Sequence, residues 1–150
     1  RKRIAMINHD LSYKYARLRE RGYKSVIHLR DLDYQAVEYA SDLSSGAGMA
    51  AMQNLLKDNP PDAVFAVSDT LAAGALRAIQ QAGLRVPEDI AVVGFDGTEL
   101  ADMISLTTIE QPSRDIGRKA VDLLLNKIDN PDAPTERVMM DWRFISRAST

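Results

Sequence analysis

Cysteine is absent from the 150 residues. That excludes a disulfide framework, a thiolate metal site and a cysteine nucleophile, and it is compatible with a cytoplasmic chain. A charge excess of either sign is also missing, since 19 Lys and Arg against 21 Asp and Glu leave a formal net charge of −2. A chain that grips nucleic acid needs clustered Lys and Arg to neutralise phosphates. The one basic run, Arg1 to Arg3, is short and reads as a solvated end rather than a binding arm. No apolar run is long enough to span a bilayer, so no membrane partner is expected. The two histidines, His9 and His28, have no second His or acid at metal-ligand spacing. No glycine-rich phosphate loop follows an apolar run, because Gly46 and Gly48 fall inside a helical pattern. No nucleophile–base pair is apparent. Neither a metal, a cofactor nor a catalytic residue is therefore expected.

What the sequence does contain is an alternation of short apolar runs with longer amphipathic stretches. Arg3–Asn8, 35–40, Ala63–Val67, Ile90–Gly94 and Leu106–Ile109 read as strands. Between Ser12 and Asp31, Tyr15, Leu18, Gly22, Val26 and Leu29 recur at spacings of three and four, the signature of one helix face. Residues 44–57 carry Met49, Met52, Leu55 and Leu56 in helical phase, and Pro60-Pro61 ends that segment. Ser68-Asp69 can cap a helix running to Ala82, with Gly83 placed as a C′ glycine. Pro112 suits the first turn of a last helix with Ile116, Ala120, Leu123, Leu124 and Ile128 on its apolar face. Glu136–Arg147 reads as two short strands or one bent one. Buried strands alternating with helices imply an α/β fold with a mainly parallel sheet flanked by helices. Ligands of such sheets bind at the carboxyl ends of the strands. The loops there contain Asp10, Asp42, Asp69 and Asp96.

Several ordered segments resemble the LacI/GalR family of bacterial transcription regulators. They are Ala16-Arg-Leu-Arg-Glu-Arg-Gly-Tyr23, Asp62-Ala-Val-Phe-Ala-Val-Ser-Asp-Thr-Leu-Ala-Ala-Gly-Ala-Leu-Arg-Ala-Ile79 and Gly83-Leu-Arg-Val-Pro-Glu-Asp-Ile-Ala-Val-Val-Gly-Phe-Asp-Gly97. Leu106-Thr-Thr-Ile-Glu-Gln-Pro112 with Gly117, and the closing Arg147-Ala-Ser-Thr150, complete the set. The resemblance implies a type I periplasmic-binding-protein-like core, of which this chain is mostly the C-terminal lobe. By that pattern, residues 1–110 form this lobe, 111–130 form a crossover helix of an otherwise missing N-terminal lobe, and 131–150 return as strands. The DNA-binding headpiece is expected to lie outside the chain, so operator DNA would be met only through it. The family pattern also implies a homodimer, built on the small-residue helix after Asp69 and the segment near Glu99–Ile104. A last helix without its lobe would expose an apolar face and promote association. A monodisperse monomer by light scattering at high concentration would contradict that expectation.

The same resemblance marks effector-binding candidates. Arg19 matches the family's effector-contacting arginine, whose rigid fork of donors suits paired hydroxyls or a carboxylate. The alternative is a solvated helix arginine, and Arg17 and Arg21 lie nearby. Asp96 stands at a strand end, where a carboxylate can accept from two vicinal hydroxyls; otherwise it is a turn residue bonding its own backbone. Ser68 and Asp69 have a capping task in any case, with ligand contact as the second reading. Tyr15 lies one turn before Arg19 and faces either the same cleft or the core. Leu43 stands where the family often has an aromatic residue that stacks on the effector ring, which leaves the ligand class open. Trp142 and Tyr23 read as packing residues. The expected function is a repressor core that binds a small carbohydrate effector and changes operator affinity. The alternatives are a periplasmic sugar-binding component of a transporter and an enzyme of flavodoxin-like fold.

Overall fold

The computed structural model describes residues 1–150. In chain order its elements are β1 (Ile4–Asn8), α1 (Lys14–Leu29), β2 (Ala36–Tyr39), α2 (Ser45–Leu55), β3 (Ala63–Ala66), α3 (Asp69–Gln81), β4 (Ala91–Asp96), α4 (Glu99–Met103), β5 (Thr107–Glu110), α5 (Ser113–Asp129) and β6 (Arg143–Ile145). One sheet runs β2-β1-β3-β4-β5-β6. All its pairs are parallel except β5–β6, which is antiparallel. The expected α/β architecture with a mainly parallel, helix-flanked sheet is what the chain adopts. The 136–147 segment contributes one three-residue strand, Arg143–Ile145, and residues 136–142 form none.

The chain steps from β1 to β2 in one direction, then from β2 through β3 and β4 to β5 in the other. Right-handed crossovers therefore set α1 on one face of the sheet and α2, α3 and α4 on the other. The α2–α3 face is dense because small residues let the helices meet. A Cβ on Gly74 would lie 2.0 Å from the Ser45 carbonyl oxygen, and one on Gly48 would lie 2.3 Å from that of Leu71. Val64, Ala66, Val92, Leu71, Ala75 and Ile79 are buried in the core beneath them. The Ala-rich stretch of α3 thus fits its neighbouring helix as well as its sheet.

Caps follow the local sequence. The Ser68 hydroxyl accepts from the Leu71 N–H at 3.2 Å. Gly83, at φ 74°, closes α3 with its N–H donating to Gln80 and that of Leu84 to Ile79. Paired bonds of this kind satisfy carbonyls that a helix end otherwise leaves free. The closing Arg-x-Ser-Thr segment has a stitching role. Ser149 donates from its hydroxyl to the Val92 carbonyl at 2.6 Å and accepts from the Thr107 N–H at 2.8 Å, tying β4 to β5.

Three expectations need correction. The buried stripe of α1 is Ala16, Glu20, Tyr23 and Ile27, not the Leu18–Val26–Leu29 face, whose members are 52%, 52% and 79% exposed. Glu20 disguises the true stripe, because a carboxylate reads as solvent-facing. It is buried here because the Asn8 Nδ2 (2.8 Å), the Tyr39 hydroxyl (3.0 Å) and Lys24 (2.7 Å) hold it. Burial raises its pKa, but those partners outweigh it and hold the carboxyl below its ordinary range. Trp142 is exposed rather than packed. Its ring borders an apolar groove of about 560 Å³ with Phe65, Phe95, Ile109 and Val26 on the α1 side of the sheet. Finally, β4 runs two residues beyond Gly94, so Phe95 and Asp96 belong to the strand and the sharp turn begins at Gly97.

Candidate functional site

Four aspartates stand at the carboxyl edge of the sheet, and the fold gives them different tasks. Asp10 and Asp42 close local turns, accepting from the N–H groups of Ser12 (2.8 Å) and Ser44 (2.7 Å). Asp69 is fully buried. It accepts from the Thr98 N–H (2.7 Å) and hydroxyl (2.9 Å) at one oxygen and from the Thr108 hydroxyl (2.6 Å) at the other. It clamps the starts of α3 and α4 to β5. Gly94 makes room for it, since a Cβ there would lie 2.4 Å from Asp69 Oδ1. Both carboxylate oxygens are engaged, so the structural reading of Asp69 is the one its contacts support.

Whereas Asp10 and Asp42 are exposed, Asp96 is the half-buried aspartate that meets a cation. Strand alternation would turn it with Gly94 toward α3, but its φ of 118° ends the extended conformation. A non-glycine residue there stores strain of roughly 1–3 kcal/mol. Gly97 follows at φ 72°, and a Cβ on it would meet Glu110 at 2.6 Å. The pair of positive-φ residues swings the chain past β5 and presents the carboxylate at the strand end. Its Oδ1 accepts from Gln111 Nε2 at 2.9 Å and lies 3.6 Å from Arg19 Nη2. No protein group donates to Oδ2. Burial pushes the Asp96 carboxyl above its ordinary pKa, and Arg19 only partly offsets it.

Arg19 is held from three sides. Nη1 donates to the Val67 carbonyl at 2.6 Å, and the guanidinium lies 3.6 Å from the Phe95 ring centroid and 5.1 Å from that of Tyr15. Its side chain is only 16% exposed. Burial lowers its pKa, and Asp96 and Tyr15 oppose that shift. A cation fixed between two rings and a carbonyl is preorganised to donate, without the entropy loss that a free side chain would bear. Beside Asp96 opens a cleft of about 750 Å³ whose lining is polar, including Thr98, Glu110, Gln111, Asp141 and Arg143. The arrangement offers both acceptors and donors to a hydroxyl-rich ligand.

The structure therefore brings Tyr15, Arg19 and Asp96 together. Ser68 is buried and committed to its cap. Leu43 is 43% exposed on the β2–α2 loop, at the same edge of the sheet. Sequence reasoning passed over Phe95 and Gln111 as site residues. Both lay inside the quoted segments, next to residues that were singled out, but nothing local says that one ring backs Arg19 and one amide orients Asp96.

Fold and strand-end site together define a ligand-binding domain of the periplasmic-binding-protein type. The family described as periplasmic binding protein-like domain matches residues 1–150. The chain is 38% identical over 152 residues to the ribose operon repressor of Escherichia coli (strain K12), covering 98% of this chain and 46% of that protein. Among solved structures it is similar to the lac repressor dimer bound to operator and the anti-inducer ONPF, with a TM-score of 0.90 at 33% identity, over 99% of this chain and 52% of that one. A LacI family transcriptional regulator from Enterococcus faecium with bound ribose superposes with a TM-score of 0.89 at 29% identity, over 99% and 56% of the two chains. The chain belongs to the LacI/GalR family of transcription regulators. It spans about half the length of the relatives it matches. No helix is long and apolar enough to cross a membrane.

Proposed function

We propose that the chain is the ligand-sensing and dimerisation core of a cytoplasmic repressor, binding a small carbohydrate effector that alters operator affinity. Residues 1–110 supply the C-terminal lobe, 111–130 a helix that reaches into an N-terminal lobe, and 131–150 the return. DNA is bound by a headpiece on the same polypeptide, outside these residues. The observation that carries this reading is the preorganised Arg19–Asp96 pair at the carboxyl edge of the sheet. Asp96 Oδ2 accepts from ligand hydroxyls, Arg19 donates to ligand oxygens, and Gln111 orients Asp96. Tyr15 and Leu43 contribute apolar contact, and Ser68 keeps the β3 end in place. The names of the relatives support a repressor over a transporter component. Effector must bind one lobe arrangement better than the other for operator affinity to change.

The test is a thermal-shift screen of sugars, sugar phosphates and nucleosides against the full-length protein. A ligand that binds only the native state raises the melting temperature by mass action. Asp96→Ala is expected to abolish the best hit's shift. An unchanged shift overturns the site assignment, and a screen without any sugar hit overturns the carbohydrate reading.

A further inference from the structure

Charge is divided very unevenly along the chain. Residues 1–30 contain nine Lys and Arg against two acids, Asp10 and Glu20, whereas residues 31–150 contain ten against nineteen. Asymmetry of this kind creates a field that steers an oppositely charged partner. The fold gathers four of the nine cations on one face. Lys14, Arg17, Arg21 and Lys24 are spaced three, four and three residues apart along α1, so they line one exposed arc of the helix. Glu20 neutralises Lys24, but Lys14, Arg17 and Arg21 form no ion pair. Arg17 is held instead by the carbonyls of Leu11 and Ser12, which fixes its position without cancelling its charge. Beside this arc the exposed Leu18 and Leu29 stand three turns apart.

The stripe works against the helix that carries it. A solvated helix face ordinarily interleaves acids with bases at i,i+4, which stabilises it, and like charges at that spacing destabilise it. Arg17 and Arg21 are such a like-charged pair. The first turn of α1 holds no acid, and Lys14 sets a positive charge against the positive end of the helix dipole. A face that gives up helix stability and stays uniformly cationic fits a surface kept for binding.

We infer that the outward face of α1 docks a second protein through an amphipathic helix. Acidic residues of that helix lie against Lys14, Arg17 and Arg21, and its apolar residues lie against Leu18 and Leu29. Another copy of this chain fits poorly, because a two-fold contact of α1 on α1 would bring the same cations together. Nucleic acid fits poorly as well, since phosphates make no use of the leucine arc and interfaces with them are more polar throughout. Charge beside an apolar strip is the composition of a protein interface. One face of a 16-residue helix is small, so the contact is a weak, exchanging one steered by charge. Arg19 leaves α1 on the opposite arc, toward Asp96, so this surface is separate from the effector site and does not depend on the carbohydrate reading.

The test is fluorescence anisotropy of the full-length protein with a labelled peptide that carries Glu along one helical arc and Leu along the next. Binding is expected, and a peptide of the same composition in scrambled order is expected to bind about fivefold more weakly or worse. Lys14→Glu/Arg21→Glu is expected to weaken binding roughly tenfold, from two reversed charges. Leu18→Ala/Leu29→Ala is expected to weaken it severalfold, and Lys57→Glu, beyond α2 on the other side of the sheet, to leave it unchanged. Lys14→Glu alone separates docking from a structural role. It places an acid in the first turn, where the dipole favours one, so the urea midpoint is expected to rise while peptide affinity falls. No binding of the ordered peptide, equal binding of the scrambled one, or unchanged affinity in Lys14→Glu/Arg21→Glu overturns the docking surface. Non-operator duplex DNA that outcompetes the peptide at these residues assigns the face to nucleic acid and overturns it too. So does a self-association that Lys14→Glu/Arg21→Glu abolishes in sedimentation equilibrium.

Discussion

Helices α3 and α5 are built from similarly amphipathic sequence and end in opposite circumstances. In α3, seven residues are buried and its glycine meets the backbone of α2. In α5 no residue is buried, and Ile116, Val121, Leu124, Leu125 and Ile128 are 42–62% exposed. Periodicity makes a helix in both. Only in the first does another element of the same chain complete the burial. The apolar stripe of α5, with the groove beside Trp142, is the surface to which the proposed second lobe and the expected self-association both trace.

The contrast can be broken most sharply at its glycines. Gly74→Ala gains about 1 kcal/mol of helix propensity. It also drives a methyl into Ser45 and Met49 backbone atoms 2.0 and 2.6 Å away, which cannot yield without moving α2. A net loss of about 3 kcal/mol is expected from overpacking, read as a lower urea midpoint at unchanged slope. A neutral Gly74→Ala would mean that the two helices are not in close contact.

Asp69→Ala comes next. It leaves the Thr98 N–H and two threonine hydroxyls without their acceptor in a buried site. The expected cost is about 2 kcal/mol, again by urea unfolding. If the variant instead keeps its stability and loses only ligand binding, Asp69 is a ligand contact and not a clamp.

On α5, Gly117 has nothing within 4 Å of an added Cβ. Gly117→Ala is expected to stabilise this chain by about 0.5–1 kcal/mol through propensity alone. Loss of stability there would show that α5 packs more closely than it does in isolation.

The smallest effect is the pH dependence of Asp96. Its folded-state pKa is raised, by burial first, so the native state holds a proton that the unfolded chain has already released. Its contribution to stability therefore falls as pH rises from the unfolded pKa through the folded one. The stability of Asp96→Asn relative to wild type should grow over that same window, and, in the proposed site, where ligand hydroxyls would donate to the carboxylate, sugar affinity of the wild type should rise. A relative stability that is flat across acid pH would place Asp96 in water.

Much of the fold was legible because its signals are local. Ala63–Ala66 and Ala91–Asp96 are short and apolar between turn residues, Ser68 caps α3 through its own hydroxyl, and Gly83 takes the left-handed φ that a C′ glycine takes. The site was legible in part. Tyr15, Arg19 and Asp96 do meet, but Asp69, equally well placed by its motif, turns inward.

The sequence by itself determined the alternation of strands and helices, the edge of the sheet where polar strand-end side chains gather, and the arginine on α1. Tertiary structure decided which stripe of α1 is buried, which of four strand-end aspartates meets Arg19 and which is buried, and which aromatic residues pack. Periodicity states which residues share a face. It cannot state what that face meets, because Glu20 is buried only where Asn8, Lys24 and Tyr39 converge on it, and Trp142 is exposed because α1 leaves open the groove it borders beside Phe95 and Ile109.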